Sequence, residues 1–265
     1  MKFWSLGATA IARQKREARM HLGILQTGRI PETMTERYDE YPEVFADMYR
    51  SADPDIRVSA YAVLDQQLPD APDVCDAWLI TGSKFGVYDD EPWIEPLKDF
   101  LRAARAVRIP MIGICFGHQI MAEAFGGRAE KFSDGWACGV HDYDVVQQPG
   151  WMGPDLPAFS MHAMHQDQVT ALPYDATLLA TSEFCRNAML TYGDPEAPDA
   201  ISIQPHPEFA VDFARELVEV RAGELIPLER SGPALESFGR PVDGAAFVEW
   251  SLAYLRQTLA GREAA

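Results

Sequence analysis

One short stretch constrains the fold more than any other: an apolar run leads into Gly113-Ile114-Cys115-Phe116-Gly117, and a helix-forming segment follows it. Residues 109–114 predict a buried strand, and residues 119–125 predict a helix that ends at Gly126 and Gly127. A strand that turns sharply into a helix leaves no room for side chains beside the turn, so the two glycines predict a nucleophile elbow. Such a turn lifts the sulfur clear of the sheet and places it at a helix N-terminus, which favours a thiolate. A buried, inert cysteine at the end of a core strand is the alternative.

A second stretch supplies the groups that a cysteine nucleophile needs. Ile201 and Ile203 alternate with polar residues and predict a strand, and prolines at 205 and 207 place His206 at or just past its end. Residues two apart in extended chain point the same way, so Glu208 can accept a hydrogen bond from the His206 ring. That bond would fix the tautomer of the ring and support an imidazolium. A surface loop with a chance histidine and glutamate is the alternative.

Gly-Ile-Cys115-Phe-Gly-His-Gln followed by Gln-Pro-His206-Pro-Glu208 resembles the class I, triad-type glutamine amidotransferases. The family forms are close to Gly-x-Cys-x-Gly-x-Gln and His-Pro-Glu, and both occur here in the family order. The resemblance covers residues 20 to 210. It implies Cys115 as nucleophile, His206 as base and then acid, and Glu208 as the residue that orients the histidine.

The loop Thr81-Gly82-Ser83-Lys84 follows a predicted strand and is expected to help form an oxyanion hole. One backbone N–H donor is that of Phe116, next to the cysteine, and the other should come from Gly82 or Ser83. The family usually has Gly-Gly or Asn-Gly followed by proline here. The departure resembles the stand-alone branch of the family, which includes the γ-glutamyl peptidases of plants and their bacterial relatives. An ordinary turn after a strand is the alternative.

The resemblance also implies residues that bind substrate. Gln119 matches a family position that helps to hold the glutaminyl group. Trp136 and the residues to Gly139 match the family segment that often contacts the α-amino and α-carboxyl groups of the substrate. His165 falls in residues 161–167, which resemble the Ser-His-x-Asp segment that lines the glutamine pocket. His118 is expected to be structural.

Strands alternate with helices along the first half of the chain, which predicts a parallel sheet covered on both faces. The predicted strands are residues 21–26, 57–63, 76–80 and 109–114, and the predicted helices are residues 36–50 and a helix opened by Asp89-Asp90-Glu91-Pro92. Shorter strands at residues 138–146, 168–172, 177–180 and 188–191 predict an antiparallel or mixed extension of the sheet. Two helices after residue 210 are expected, separated by a loop at residues 226–241.

The pattern predicts an α/β fold with a mostly parallel central sheet and an antiparallel extension, and the resemblance implies the three-layer, flavodoxin-like sandwich of class I glutamine amidotransferases. The expected division is an N-terminal extension at residues 1–19, the amidotransferase domain at residues 20–222, and a C-terminal loop and helix at residues 223–265 packed on the same domain.

Charge and cysteine usage exclude several classes of function. A net charge of −17 argues against nucleic-acid binding and against an anionic membrane surface. The four cysteines lie far apart without a Cys-x-x-Cys pair, so neither a zinc site nor a disulfide framework is expected, and reduced cytoplasmic thiols fit best. His162 and His165 are three apart, but no carboxylate cluster completes a metal site. No cofactor and no membrane-spanning segment are expected.

These observations favour an enzyme that cleaves the γ-amide of glutamine or of a γ-glutamyl compound through a γ-glutamyl thioester. One form is a self-contained hydrolase or transferase acting on γ-glutamyl peptides or amides, which the Thr-Gly-Ser loop favours. The other form is a glutaminase that passes ammonia to a separate synthase partner. A non-catalytic binding or regulatory module, or a silent subunit that activates a partner, is the alternative from another class.

Overall fold

The computed structural model describes residues 19–263, so the predicted N-terminal extension lies almost wholly outside the described residues. A nine-stranded sheet has the order β2-β1-β3-β4-β11-β10-β9-β6-β7. Its strands are β1 (His21–Gln26), β2 (Arg57–Ala62), β3 (Ala77–Ile80), β4 (Met111–Ile114), β6 (Ala137–Val145), β7 (Ala158–His165), β9 (Ala176–Thr181), β10 (Met189–Tyr192) and β11 (Ala200–Ile203). The remaining strands, β5 (Arg128–Lys131) and β8 (Asp167–Ala171), pair with each other in a separate two-stranded sheet.

The central sheet has a parallel half and an antiparallel half. Strands β2, β1, β3, β4 and β11 run parallel to one another. Strands β10, β9, β6 and β7 continue the sheet with antiparallel pairs. This arrangement confirms the predicted α/β fold with its antiparallel extension. Because the carboxyl ends of parallel strands share one edge, the segments that follow β1, β3, β4 and β11 come together there.

Helices cover both faces of the sheet. On one face lie α1 (Tyr41–Ala52), α4 (Val211–Arg221), α5 (Leu228–Ser237) and α6 (Gly244–Glu263), and on the other lie α2 (Ile94–Ala106) and α3 (Phe116–Ala124). Successive side chains of a parallel strand point to opposite faces of the sheet. Leu79 of β3 packs in the core on the face covered by α1, and Trp78 and Ile80 pack in the core on the face covered by α2. The period-two pattern thus builds two apolar cores from one sheet. No helix in residues 19–263 is both long and apolar enough to cross a membrane.

Three helix starts differ from the prediction. Helix α3 begins at Phe116, directly after Cys115, rather than at residue 119. Helix α1 begins at Tyr41 rather than residue 36, because Pro42 occupies the first turn, where its fixed backbone angle suits a helix start. Helix α2 begins at Ile94, after Pro92 rather than on it. The Asp89 carboxylate accepts a hydrogen bond from the N–H of Gly86, at 2.8 Å, and so closes the preceding turn instead of capping the helix.

The other differences lie in the second half of the chain. The predicted strand at residues 168–172 is β8 of the small sheet, and strands β5 and β7 were not predicted. The predicted loop at residues 226–241 contains helix α5, although Pro233 lies inside it. This helix packs on β6 at Gly139, whose backbone φ is 90° and whose Cβ position would lie 2.5 Å from Ser237 Oγ. The tertiary contact thus compensates for a helix-breaking residue.

Candidate active site

Cys115 sits at a strained turn between β4 and α3, with φ 52° and ψ −101°. A Cβ on Gly117 would lie 2.3 Å from the Ile80 carbonyl oxygen, and a Cβ on Gly113 would lie 2.6 Å from the Gly117 carbonyl oxygen. Both distances are far below van der Waals contact, so only glycine fits at either position. A non-glycine residue at positive φ costs about 1–3 kcal/mol and is typical of functional sites. The local geometry is the elbow that the Gly-x-Cys-x-Gly spacing predicted.

His206 follows β11 and is buried beside this turn. Its backbone N–H donates to the His162 carbonyl at 2.8 Å, which ties the segment after β11 to strand β7. The ring Nδ1 donates to Glu208 Oε1 at 2.7 Å, and the Glu208 side chain is fully buried. Burial alone would lower the pKa of the His206 ring, but the Glu208 carboxylate and the Cys115 sulfur raise it to about 10. The arrangement favours an imidazolium at neutral pH.

Gly82 separates the histidine from the cysteine. A Cβ built on Gly82 would lie 3.1 Å from His206 Cε1 and 3.7 Å from Cys115 Cβ, so the two side chains meet across a gap that the missing methyl leaves open. With Nδ1 committed to Glu208, the ring presents Nε2, which makes no hydrogen bond within residues 19–263. The structure therefore brings Cys115, His206, Glu208 and Gly82 together at the carboxyl edge of the sheet.

A network of hydroxyls fixes the loop that carries Gly82. Thr27 Oγ1 donates to the Thr81 carbonyl at 2.9 Å, and its backbone N–H donates to Thr81 Oγ1 at 3.0 Å. Ser83 Oγ donates to the Thr27 carbonyl at 2.7 Å and accepts from the N–H of Phe85 at 3.2 Å. The Ser83 hydroxyl thus fastens this loop to the segment after β1.

Backbone N–H groups without a partner lie on the segments next to the cysteine. The N–H groups of Gly82 and Ser83 donate no hydrogen bond within residues 19–263. Phe116 is the first residue of α3, and Cys115, at the N-cap, makes no side-chain cap hydrogen bond. Since the first N–H groups of a helix have no partner inside it, that of Phe116 is also available. These are the three donors that the sequence predicted, and their catalytic role stays a prediction.

The contact that the sequence did not indicate is an aromatic one. The Phe209 ring stacks on the His206 imidazole with a centroid distance of 3.9 Å and an interplanar angle of 9°. Phe213 packs edge-on against Phe209 at 4.8 Å, and Tyr41 stacks on Phe209 at 6.4 Å. Phe209 stands directly after Glu208 in the sequence, but its position over the imidazole depends on α1 and α4, which no local pattern connects to it.

The residues predicted to bind substrate have protein partners of their own. The Gln119 amide N–H groups donate to the Asp167 carbonyl at 2.9 Å and to Gln204 Oε1 at 3.1 Å. His165 bonds the Asp167 carbonyl through Nδ1 at 3.1 Å, and burial lowers its pKa to about 3, so its ring is neutral. Trp136 precedes β6 and packs, partly buried, on the apolar cluster that includes Cys115. Their contacts with substrate stay predictions.

His118 is buried in α3 and bonds Ser202 Oγ through Nδ1 at 2.7 Å, which fits the expected structural role. All four cysteines are free. Burial raises the pKa of Cys75 to about 11, of Cys138 to about 11 and of Cys185 to about 12, which keeps them as inert thiols. Within residues 19–263, no group of three or more His, Cys, Asp or Glu residues forms a potential metal site.

Comparison with known proteins identifies the family of the chain. The family model for glutamine amidotransferase class-I matches residues 36–216, so the chain belongs to that family. It is 31% identical over 166 residues to gamma-glutamyl peptidase 5 of Arabidopsis thaliana, a match that covers 60% of this chain and 64% of that protein. It is 30% identical over 119 residues to one subunit of the glutamine-hydrolyzing GMP synthase of Methanococcoides burtonii, over 45% of this chain and 61% of that protein. The chain thus matches a little under two thirds of the length of each of these two relatives.

A solved structure of a glutamine amido transferase from Methylobacillus flagellatus superposes with a TM-score of 0.70. The alignment covers 92% of this chain and 96% of that one, at 22% sequence identity. Identity at that level supports the shared fold. The matched family and the similar proteins are named as amidotransferases and a peptidase.

Proposed function

We propose that this chain hydrolyses a γ-glutamyl amide bond, with Cys115 as nucleophile, His206 as general base and acid, and Glu208 as the residue that orients the histidine. The observation that carries the proposal is a cysteine on a strained elbow that faces a histidine held by a buried carboxylate at 2.7 Å. A structural cysteine needs neither the positive φ nor the unpaired N–H groups around it. This geometry supports assigning the three roles of a nucleophilic site, which are nucleophile, base and orienter.

The reaction follows from these positions. The Cys115 sulfur attacks the γ-carbonyl carbon, and the backbone N–H groups of Phe116 and of Gly82 or Ser83 stabilise the oxyanion. His206 Nε2 gives its proton to the leaving amine as the C–N bond breaks, which leaves a γ-glutamyl thioester. The same nitrogen then removes a proton from water, which attacks the thioester carbonyl. Glutamate is released from Cys115 and His206 is again protonated, so the thiolate and the imidazolium of the starting state are restored.

The preferred substrate in this proposal is a γ-glutamyl peptide or amide, cleaved by the chain without a partner. The Thr81-Gly82-Ser83 loop resembles that of stand-alone family members, and gamma-glutamyl peptidase 5 is among the similar proteins. Because the mechanism needs a reduced thiol at Cys115, the proposal places the enzyme in a reducing compartment such as the cytoplasm.

A second candidate is a glutaminase that supplies ammonia to a separate synthase. The similarity to the glutamine-hydrolyzing GMP synthase of Methanococcoides burtonii favours it. The two candidates share the site and the thioester and differ in substrate and partner, so one set of assays separates them.

The test is product release by the purified full chain, with glutamine in one assay and a γ-glutamyl dipeptide in the other. Dipeptide cleavage well above glutamine cleavage supports the self-contained hydrolase, and glutamine cleavage alone supports the ammonia donor. Cys115→Ala should abolish either activity, and Cys75→Ala is the matched control because that thiol is buried elsewhere, beside His21. Wild-type turnover by Cys115→Ala would contradict the proposal.

A further inference from the structure

The buried, apolar face of helix α4 ends at a positively charged residue, Arg221. Phe213 and Leu217 are buried one turn apart, and the next position on that face is Arg221, the last residue of the helix. Phe213 packs against Phe209, which lies on His206, so α4 is anchored to the candidate active site. The Arg221 side chain is only partly exposed. An arginine therefore occupies a position on the helix face that otherwise carries buried apolar residues.

Arg221 has no protein anion to balance it. Within residues 19–263 its side chain forms no ion pair, whereas Arg105 pairs with Asp199, Arg256 with Asp53 and Arg102 with Asp99. It also donates no hydrogen bond to any of these residues. Withdrawing a guanidinium from water without a partner is costly, so an unpaired, partly buried arginine points to an anion that binds from outside.

Tyr41 lies between α4 and the candidate active site, because its ring packs edge-on against Phe213 at a centroid distance of 6.3 Å and stacks on Phe209. Arg221 is the last residue of α4. Burial lowers the pKa of its guanidinium, while Tyr41 and the Cys115 sulfur act in the opposite direction. Tyr41 is itself buried, its pKa is raised by burial, and Arg221, Glu208 and Cys115 all influence it. Its hydroxyl forms no hydrogen bond with another described residue. The guanidinium and this hydroxyl are thus two donors that no described residue uses, and the Tyr41 ring contacts Phe209, which stacks on His206.

We propose that Arg221, with the Tyr41 hydroxyl, binds a carboxylate of the substrate while Cys115 attacks the amide. The inference rests on the proposed function and specifies its substrate: a γ-glutamyl compound that carries a free carboxylate. A guanidinium suits this task because its N–H groups match both oxygens of a carboxylate. The carboxylate has two possible sources, the α-carboxylate of the glutamyl group and the terminal carboxylate of the leaving peptide.

Kinetics with paired substrates test the proposal and identify the source. γ-Glutamyl-p-nitroanilide carries only the α-carboxylate, and its α-amide carries none. γ-Glutamylglycine and γ-glutamylglycinamide differ only at the peptide end. In Arg221→Gln we expect kcat/KM to fall about 10- to 100-fold for substrates that carry the recognised carboxylate, with Arg221→Lys intermediate. The variant should leave the matched amide unaffected.

A fall in kcat/KM for γ-glutamyl-p-nitroanilide would identify the α-carboxylate as the group that Arg221 binds. A fall confined to γ-glutamylglycine would identify the terminal carboxylate of the peptide instead. Equal effects on acids and amides would overturn the proposal. Arg50→Gln is the matched control, because Arg50 is an exposed arginine of α1 that pairs with Asp47 at 3.8 Å.

Alkylation of Cys115 tests the same inference without turnover, so failure of the proposed hydrolysis does not obscure it. Iodoacetate carries a carboxylate and iodoacetamide is its neutral counterpart. Mass spectrometry of the Cys115 peptide gives the two rates, and we expect their ratio, iodoacetate over iodoacetamide, to fall at least several-fold in Arg221→Gln. An unchanged ratio, with thermal melts equal to wild type, would contradict the proposal.

Discussion

Adding one methyl group at Gly82 should lower the rate of catalysis and leave the stability of the fold almost unchanged. In Gly82→Ala the new Cβ would lie 3.1 Å from His206 Cε1, whereas carbon atoms rest about 3.5–4.0 Å apart. The ring or the loop must therefore move by roughly 0.5 Å. A 1 Å misplacement costs about a hundred-fold in rate, so this shift costs about ten-fold. The methyl also occupies the gap between His206 and Cys115, where the reacting carbonyl would lie, so the loss should exceed ten-fold.

The same substitution should barely change the free energy of unfolding. Gly82 does not have a positive φ, so alanine can adopt its backbone conformation. Crowding around the new methyl group should lower the free energy of unfolding by about 1 kcal/mol. Alanine also restricts the unfolded chain, which should raise the free energy of unfolding by about 0.4–1 kcal/mol. The melting temperature should thus stay within about 4 °C of wild type.

The assay for Gly82→Ala is hydrolysis of the γ-glutamyl substrate, followed together with thermal unfolding. Gly232→Ala is the matched control, because its Cβ would meet no atom within 4 Å. Wild-type kcat/KM in Gly82→Ala, at an unchanged melting temperature, would refute the view that this glycine keeps the gap between histidine and cysteine open.

Three further predictions concern the same site. Gly117→Ala should lower the melting temperature or prevent folding in a thermal-melt assay, because the new Cβ would lie 2.3 Å from the Ile80 carbonyl oxygen; a wild-type melt would contradict the need for glycine there. The raised pKa of His206 stabilises the fold fully below its unfolded value of about 6.5, and this contribution is lost as pH rises toward about 10. Glu208→Gln removes a main cause of the raised pKa, so thermal melts at a series of pH values should show a smaller decline over that window, and histidine NMR should report a lower His206 pKa; an unchanged pKa would contradict this. Phe209→Leu removes the ring stacked on His206 at 3.9 Å and should lower kcat roughly 2- to 10-fold with little change in KM, measured by steady-state kinetics; a loss in KM alone would assign Phe209 to substrate binding instead.

The parallel half of the sheet was predictable from sequence because its signals are local. Strands β1, β3 and β4 are short, mostly apolar runs that end at turns, and the two glycines around Cys115 mark a turn that only they can form. The antiparallel half was harder. Strand β7 is buried at nearly every position on both faces, so polar and apolar residues do not alternate along it. Helix α5 contains Gly232 and Pro233, which are typical of loops, and its packing on Gly139 is invisible in the sequence.

The same distinction holds at the candidate site. Residues joined by short sequence spacing, such as His206 and Glu208, could be paired in advance because an extended chain projects both to one side. The stacking of Phe209 and the unpaired guanidinium of Arg221 depend on where α1 and α4 dock. Arg221 does continue the Phe213–Leu217 spacing, which is a signal in the sequence. Its meaning depends on the absence of an acidic partner within residues 19–263, which only the structure reveals.

Helix α3, like α1, α2, α4 and α5, has no side-chain cap hydrogen bond at its N-terminus, but among these five helices only α3 has an N-cap residue with a positive φ. A serine, threonine, aspartate or asparagine at an N-cap contributes about 1 kcal/mol by accepting from a free N–H group. Cys115 occupies that position here without a cap hydrogen bond, and does so at a φ of 52°. In the proposed mechanism, a capping side chain would occupy N–H groups that the oxyanion needs, and a relaxed backbone would move the sulfur toward the sheet. The positive φ is thus the cost that distinguishes this helix start, and under the proposal it leaves the thiol available to a substrate carbonyl.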